Sequence, residues 1–371
     1  MKKIIWLFLI ICLACISFAK PAEIKKDKAE KQAVTATKDE MLKNVIVYQE
    51  SGKFCGWPAN NGLWSWGDEI VVGYSLGHYE AKDKGHSINR DKPSRGVLSR
   101  SVDGGETWTL ETPDGFVSEK EAVACPGGID FTRPGFALRC RRDTFMYSYD
   151  RCKSWSEAYK LPQFGQKGIM PRTDYIINGK EDCMIFLTAQ KTNGKEGRPF
   201  IARTTDGGKT INFVSWISDE PEGFSIMPST VRVSKNELIT AIRRKEKGLG
   251  FIEIYASNDN GISWSFLSKP AETGRGNGNP AAMIKLRDGR IALTYGYRSE
   301  PQGMRAMLSK DNGKSWGREI MLRADGRTWD LGYPRTLQRS DGKIVTIYYY
   351  TTEKNPEQHI AATIWSPELG S

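Results

Sequence analysis

Three stretches of this sequence gather aromatic, amide, imidazole, carboxylate and guanidinium side chains. The longest, FCGWPANNGLWSWGDEIVVGYSLGHYEAKDKGHSINRD, carries Trp57, Trp64 and Trp66, the amides Asn60 and Asn61, and the histidines His78 and His86. Aromatic rings stack on pyranose faces and amides bond hydroxyls. Imidazole suits acid/base work near neutral pH. Trp57 precedes Pro58 where the chain enters a strand, which makes it the better stacking candidate. Trp64 and Trp66 fall inside a strand pattern and are expected in the core. His78 and His86 are expected in one long loop between the second and third strands of their unit, and loops of that length are often functional. The second stretch, WDLGYPR, adds Asp330 and Arg335, and the third, MPRTDY, adds Arg172 and Asp174. A guanidinium is a planar fork that matches a carboxylate.

These residues need a scaffold, and a repeat announces it. SKDNGKSW starts at Ser309, with variants SVDGGETW at Ser101, SYDRCKSW at Ser148, TTDGGKTI at Thr204 and SNDNGISW at Ser257. A period near fifty residues is the mark of a repeat architecture. Within each copy, Asp bonds nearby backbone N–H groups and Gly accepts positive φ, so the copies read as hairpin turns. Cys152 replaces the Gly in one copy and Ile211 the Trp in another. Five copies of one active site are implausible, so the turns are expected to be structural. Strand–turn–strand patterns such as AAMIKLRDGRIALTYGYR precede them, giving four antiparallel strands per unit, as in a propeller blade. The expected fold is all-β: a six-bladed β-propeller with blades starting near Asn61, Gly128, Arg172, Ser229, Ala281 and Thr336. The last blade lacks a fourth strand, which residues 44–50 can supply.

The chain has 371 residues and a formal charge of +10. Residues 1–19, two lysines followed by an apolar run and small residues, read as an export signal; the run is short for a membrane-spanning helix. Lipidation at Cys15 is the lesser expectation. Residues 20–43 are mixed in charge and read as a flexible spacer, leaving 44–371 for the propeller. Of the five remaining cysteines, Cys140 and Cys152 flank a hairpin and form the best candidate disulfide, with buried thiols as the alternative. With three histidines and no CxxC beyond residue 19, no metal or other cofactor is expected. The positive balance points to an acidic glycan as partner. No basic run resembles a nucleic-acid arm. A monomer is expected.

Five such turns on six blades behind an export signal resemble the sialidase superfamily, whose Asp boxes these repeats match. The resemblance covers nearly the whole domain. It implies an arginine triad for the substrate carboxylate, a tyrosine nucleophile with a glutamate partner, and an aspartate acid/base; sialidases are the tyrosine exception among glycosidases. Carried over by position, the acid/base is Asp91, the second arginine is Arg243, the third is Arg298 with Arg305 as the second choice, and the nucleophile is Tyr333. Gly56 stands where the first arginine belongs, and Met227 where the glutamate belongs. Arg172, Arg243, Arg298 and Arg335 are expected to converge on the axial pocket.

Three functions follow. The first is an exo-acting glycoside hydrolase of a terminal acidic sugar, with Tyr333 attacking and Asp91 as acid/base. The second is a polysaccharide lyase at a uronic acid, in which His78 or His86 removes the C5 proton and Tyr333 or the other histidine protonates the leaving oxygen. The third is a glycan-binding propeller without catalysis.

Overall fold

The structure, a computed structural model, describes residues 41–117 and 120–370. Alternating strand patterns and Asp-Gly turns build six antiparallel sheets, the blades of a β-propeller. Blade 1 contains Lys53–Gly56, Glu69–Tyr79, Arg95–Ser101 and Thr109–Glu111, with Leu63–Trp66 and Ile88–Asn89 paired beside Glu69–Tyr79. Blade 3 runs from Ile169–Ile177 out to Asn212–Trp216, blade 4 from Phe224–Arg232 to Ser265–Arg275, and blade 5 from Ala281–Lys285 to Ile320–Arg323, each with four strands.

Blade 2 has three strands: Ala137–Arg141, Thr144–Ser148 and Tyr159–Lys160. The strand expected near Gly128 is irregular chain. Gly127 and Gly128 have positive φ there, and Pro134 cannot donate to a ladder.

Blade 6 holds Gly332–Gln338, Ile344–Tyr350 and His359–Trp365, and its fourth strand is Leu42–Tyr48. That strand pairs antiparallel with the last one, Leu42 opposite Trp365, so the ring closes by joining the two ends of the domain. It begins at Leu42, slightly inside the segment read as spacer. Residues 1–19, Cys15 and the spacer up to residue 40 lie outside the described residues. Deleting through Glu50 is expected to lower the melting temperature far more than deleting through Met41, because only the longer deletion strips the edge of blade 6. Thermal unfolding of the two truncations checks this.

The core lies between neighbouring blades. Phe54, Ile70, Val72 and Tyr74 of blade 1 pack with Val345, Ile347 and Tyr349 of blade 6. Ile239, Ala241 and Ile254 of blade 4 pack with Met283, Leu293 and Tyr295 of blade 5. Trp64 is buried and donates its indole N–H to the Leu138 carbonyl (3.2 Å).

The Asp boxes behave as turn staples. Asp311 Oδ1 accepts from the Ser309 hydroxyl (2.8 Å) and from the Ser315 backbone N–H (2.8 Å), and Oδ2 accepts from the Ser315 hydroxyl (2.5 Å). Asp103, Asp150, Asp206 and Asp259 repeat the arrangement. The box glycines, Gly313 among them, have positive φ; Cys152 takes φ 66° in its copy, held by its N–H on Ser148 Oγ. These hydrogen bonds draw the Asp311 carboxyl down to about 2. A lowered carboxyl pKa stabilises the fold above the unfolded value, and that contribution is lost as pH falls through the folded one. Asp311→Ala is therefore expected to cost a few degrees of melting temperature at neutral pH, less below pH 3, with turnover per folded molecule unchanged. A collapse of turnover at unchanged stability would show that the box is part of the site.

The disulfide expectation is corrected. Cys140 and Cys152 are separate buried free thiols, as are Cys55 and Cys183, with Cys125 free and half-buried. Cys140 lies in the core between blades 2 and 3, whereas Cys152 lies in the core between blades 1 and 2.

Candidate active site

The site is built where the chain enters the blades. Three residues that directly precede a proline have left-handed backbone: Trp57 (φ 62°), Met227 (φ 58°) and Tyr333 (φ 51°); Thr173 (φ 56°) occupies the comparable place in blade 3. Register shifts in blades 3, 4 and 6 fall at these points. Bulges of this kind re-aim side chains. A non-glycine residue at positive φ costs about 1–3 kcal/mol and tends to mark functional sites. The strained residues of blades 4 and 6 meet: Tyr333 packs against the Met227 cluster together with Ala59.

Tyr333 is the centre. Its hydroxyl accepts from Arg243 Nη1 (3.0 Å), and its backbone N–H donates to Asn279 Oδ1 (2.9 Å). The Arg243 and Arg298 guanidinium carbons lie 5.4 and 5.6 Å from the ring centroid. Burial pushes the phenol up, but the charges of Arg243, Arg298 and Arg172 outweigh it and leave the group below the ordinary tyrosine value. Arg243 is buried and braced by the carbonyls of Asn277 (3.0 Å) and Gly278 (3.1 Å). Met227, in the glutamate position, offers that guanidinium only its sulfur, at 3.5 Å.

Beside Tyr333 stands a histidine–carboxylate pair. His86 Nδ1 lies 2.5 Å from Asp330 Oδ1. Asp330 also accepts from the Ser87 N–H (2.9 Å), the Tyr349 hydroxyl (2.7 Å) and Gln358 Nε2 (3.2 Å). Burial alone would raise this carboxyl; His86 and Tyr349 bring it below its usual range. The fixed Nδ1 leaves Nε2 as the reactive nitrogen. Arg298 Nη2 reaches the Tyr349 hydroxyl at 3.1 Å, which joins the arginine to the pair. The His86 ring sits 5.1 Å from Trp57, 5.8 Å from Trp329 and 6.3 Å from Tyr333, centroid to centroid.

The structure thus brings together Tyr333, His86, Asp330, Arg243, Arg298 and Trp57. It does not bring in Asp91, which is exposed in a loop of blade 1 with its N–H on Asn89 Oδ1 (2.9 Å). Nor does it bring in His78. That residue is on the strand Glu69–Tyr79 rather than in the loop with His86, and it lines a separate cleft with Lys53 and Arg95. Arg335 is a strut. Its Nη2 donates to the carbonyls of Ala59 (2.7 Å), Thr173 (3.0 Å) and Arg172, and Asp174 lies 4.0 Å away. Burial pushes the Asp174 carboxyl up to about 7. Arg172 holds Glu196 with two 2.9 Å contacts. Asn61 braces Arg139 (3.1 Å) and the Trp57 carbonyl (3.2 Å), while the buried Asn60 Oδ1 has no hydrogen-bond partner. At Gly56 a Cβ would sit 2.5 Å from the Phe54 ring, so the place of the first triad arginine is filled by Phe54. Trp329 and Tyr349 were not singled out in the sequence. The signal for Trp329 is its place beside Asp330; Tyr349 lies unmarked in an apolar strand. Among the described residues, no cluster of His, Cys, Asp or Glu could hold a metal ion.

The fold defines a class of β-propeller, and the comparisons place the chain in it. Residues 134–346 match the BNR repeat-like domain family, and the chain belongs to that family. No curated protein matches the sequence. The fold is similar to that of a protein of unknown function from Dyadobacter fermentans DSM 18053, with TM-score 0.67 and 19% identity over 87% of this chain and 98% of that one. It is also similar to the NanB sialidase of Streptococcus pneumoniae, with TM-score 0.59 and 11% identity over 88% of this chain and 71% of that one. An α-L-arabinanase of Penicillium chrysogenum gives TM-score 0.55 and 14% identity over 86% of this chain and 97% of that one. No helix among the described residues is long and apolar enough to cross a membrane.

Proposed function

We propose that this protein is an exported glycoside hydrolase acting on a terminal acidic sugar. The observation that carries the reading is the Tyr333 hydroxyl 3.0 Å from Arg243, its phenol lowered although buried. A nucleophile activated by lowered pKa is one of the standard routes to covalent catalysis. Tyr333 attacks as the phenolate that Arg243 and Arg298 stabilise: its oxygen bonds to the anomeric carbon as the glycosidic C–O bond breaks, and His86 gives its Nε2 proton to the leaving oxygen. Water then loses a proton to His86 and displaces the tyrosine oxygen. Asp330 fixes the imidazole through Nδ1, and His86 takes the role that the family resemblance gave to Asp91. Arg243 and Arg298 hold the sugar carboxylate, and Trp57 and Trp329 offer rings for stacking. The folds of the sialidase and arabinanase support this reading at the level of scaffold.

One observation favours a lyase as the second reading. Asp330, the carboxylate against His86, is engaged by four donors, so the working pair is Tyr–His, with Arg243 and Arg298 to neutralise a uronate. In that case Tyr333 and His86 remove the C5 proton and protonate the leaving oxygen. Incubation with sialylated, uronate-containing and rhamnosylated glycans separates the two. Free sugar without ultraviolet absorbance of an unsaturated product is expected. The unsaturated product would establish the lyase, and binding without either product would leave a glycan-binding propeller.

A further inference from the structure

Next to the site, the hairpin of blade 2 carries LRCRRDT, and it places arginines together without acidic partners. Arg139 is fully buried. It donates to the Phe116 carbonyl and to Asn61 Oδ1 (3.1 Å), and its guanidinium lies 3.7 Å from the Phe116 ring centroid. Arg141 and Arg142 line two clefts at once. One cleft, of about 200 Å³, also has Asn60, Asn61, Pro171 and Arg172 in its wall; the other, of about 180 Å³, has Arg139 and Asp143. None of these three arginines forms an ion pair with a carboxylate among the described residues, Asp143 included. Burial and the neighbouring charge of Arg142 lower Arg141, with no acidic group offsetting them. Two buried atoms of the first cleft's residues, Asn60 Oδ1 and Arg172 Nε, lack hydrogen-bond partners.

Crowded like charges oppose folding, and a chain that keeps them beside a pocket has an anion to meet. The cleft adjoins residues that pack at the candidate active site. Asn60 follows Ala59, which packs in one cluster with Met227 and Tyr333, and Arg172 adds to the field on the Tyr333 phenol. From this juxtaposition we infer that the cleft is an anion subsite. Arg141 and Arg142 take the sulfate or carboxylate of the sugar next to the one held at Tyr333, with Asn60 Oδ1 free to accept from one of its hydroxyls. The substrate is then an oligosaccharide with anionic groups on successive residues. The inference rests on reading the Tyr333 pocket as a glycan site.

The test is the double variant Arg141→Gln/Arg142→Gln, made with and without Tyr333→Phe. In the Tyr333→Phe protein, binding is read by calorimetry without turnover. The probes are a heparin-derived tetrasaccharide (sulfate and carboxylate), a tetragalacturonate (carboxylate only) and cellotetraose (neutral). At least one anionic probe is expected to bind about tenfold or more tighter than the neutral one, and the double substitution to erase that preference, as loss of charge-assisted hydrogen bonds requires. The stronger anionic probe identifies the group. Equal binding before and after the double substitution, or no preference for an anionic probe, overturns the subsite. The ligand-free melting temperature is the second readout. It is expected to hold or rise when the repulsion is removed, and a large fall together with lost binding would mean that the arginines only support the fold, which also overturns it. An anionic probe bound through Arg141 and Arg142 but never cleaved by the parent would sink the hydrolase and keep the subsite. Cleavage indifferent to both arginines would do the reverse.

Discussion

Replacing Tyr333 by Phe is expected to reduce turnover by roughly 1,000-fold or more, the scale seen when a nucleophile is removed. The ring stays, so its contacts with His86, Tyr349 and the Arg243 and Arg298 guanidiniums keep their packing. What goes is the oxygen that accepts from Arg243. Glycan binding therefore loses at most one hydrogen bond, about 0.5–1.5 kcal/mol. The melting temperature is expected to change little, since the Arg243 charge keeps its contacts with the Asn277 and Gly278 carbonyls. Turnover by the variant within tenfold of the parent would remove Tyr333 from the chemistry, whatever the fold.

The second large effect belongs to the pair His86–Asp330. His86→Ala removes the proton donor and is expected to cost about 100- to 10,000-fold in kcat, the usual worth of general acid/base catalysis. Rescue of this variant by substrates whose leaving group needs no proton would separate acid catalysis from a packing defect. Asp330→Asn is the positioning test: the shape is kept, but the carboxylate that fixes the ring through Nδ1 is gone. A loss in kcat with KM nearly unchanged is expected. Stability carries a sign as well. The folded Asp330 carboxyl lies below its ordinary value, so its contribution is present above the unfolded pKa and disappears as pH falls through the folded one. The deficit in melting temperature of Asp330→Asn should accordingly be largest near neutral pH and shrink in acid. A deficit that grows toward acid would contradict the pairing.

The lyase and hydrolase readings predict the same losses in these variants, because both use Tyr333 and His86. They part at the product. In the reading proposed above, Arg243 and Arg298 clamp the sugar carboxylate, and Arg298→Lys is expected to weaken that clamp, since an ammonium lacks the planar fork.

The scaffold was legible in the sequence because its determinants are local. Each Asp box closes hydrogen bonds within a few residues, as from Asp311 to Ser309 and Ser315, so five copies declare themselves one by one. The closing strand was legible too, because the last blade lacked a partner and residues 44–50 had the pattern to be one; the strand itself runs Leu42–Tyr48. Tyr333, Arg243 and Arg298 were named through the family resemblance, and the fold brings these three together. The pairing of His86 with Asp330 could not, because 244 positions separate them and only closure of blade 6 against blade 1 sets the imidazole over the carboxylate. The same closure left Asp91 in solvent and His78 at another cleft. Loop length specifies neither the direction nor the neighbours of a side chain. Arg335 and Arg172 carry the same guanidinium as Arg243. Yet burial beside backbone carbonyls turned the first into a strut, and Glu196 claimed the second. A residue's type sets what it can do, but its role is decided by which groups the folded chain places within hydrogen-bond reach, and those come from blades far apart in the sequence.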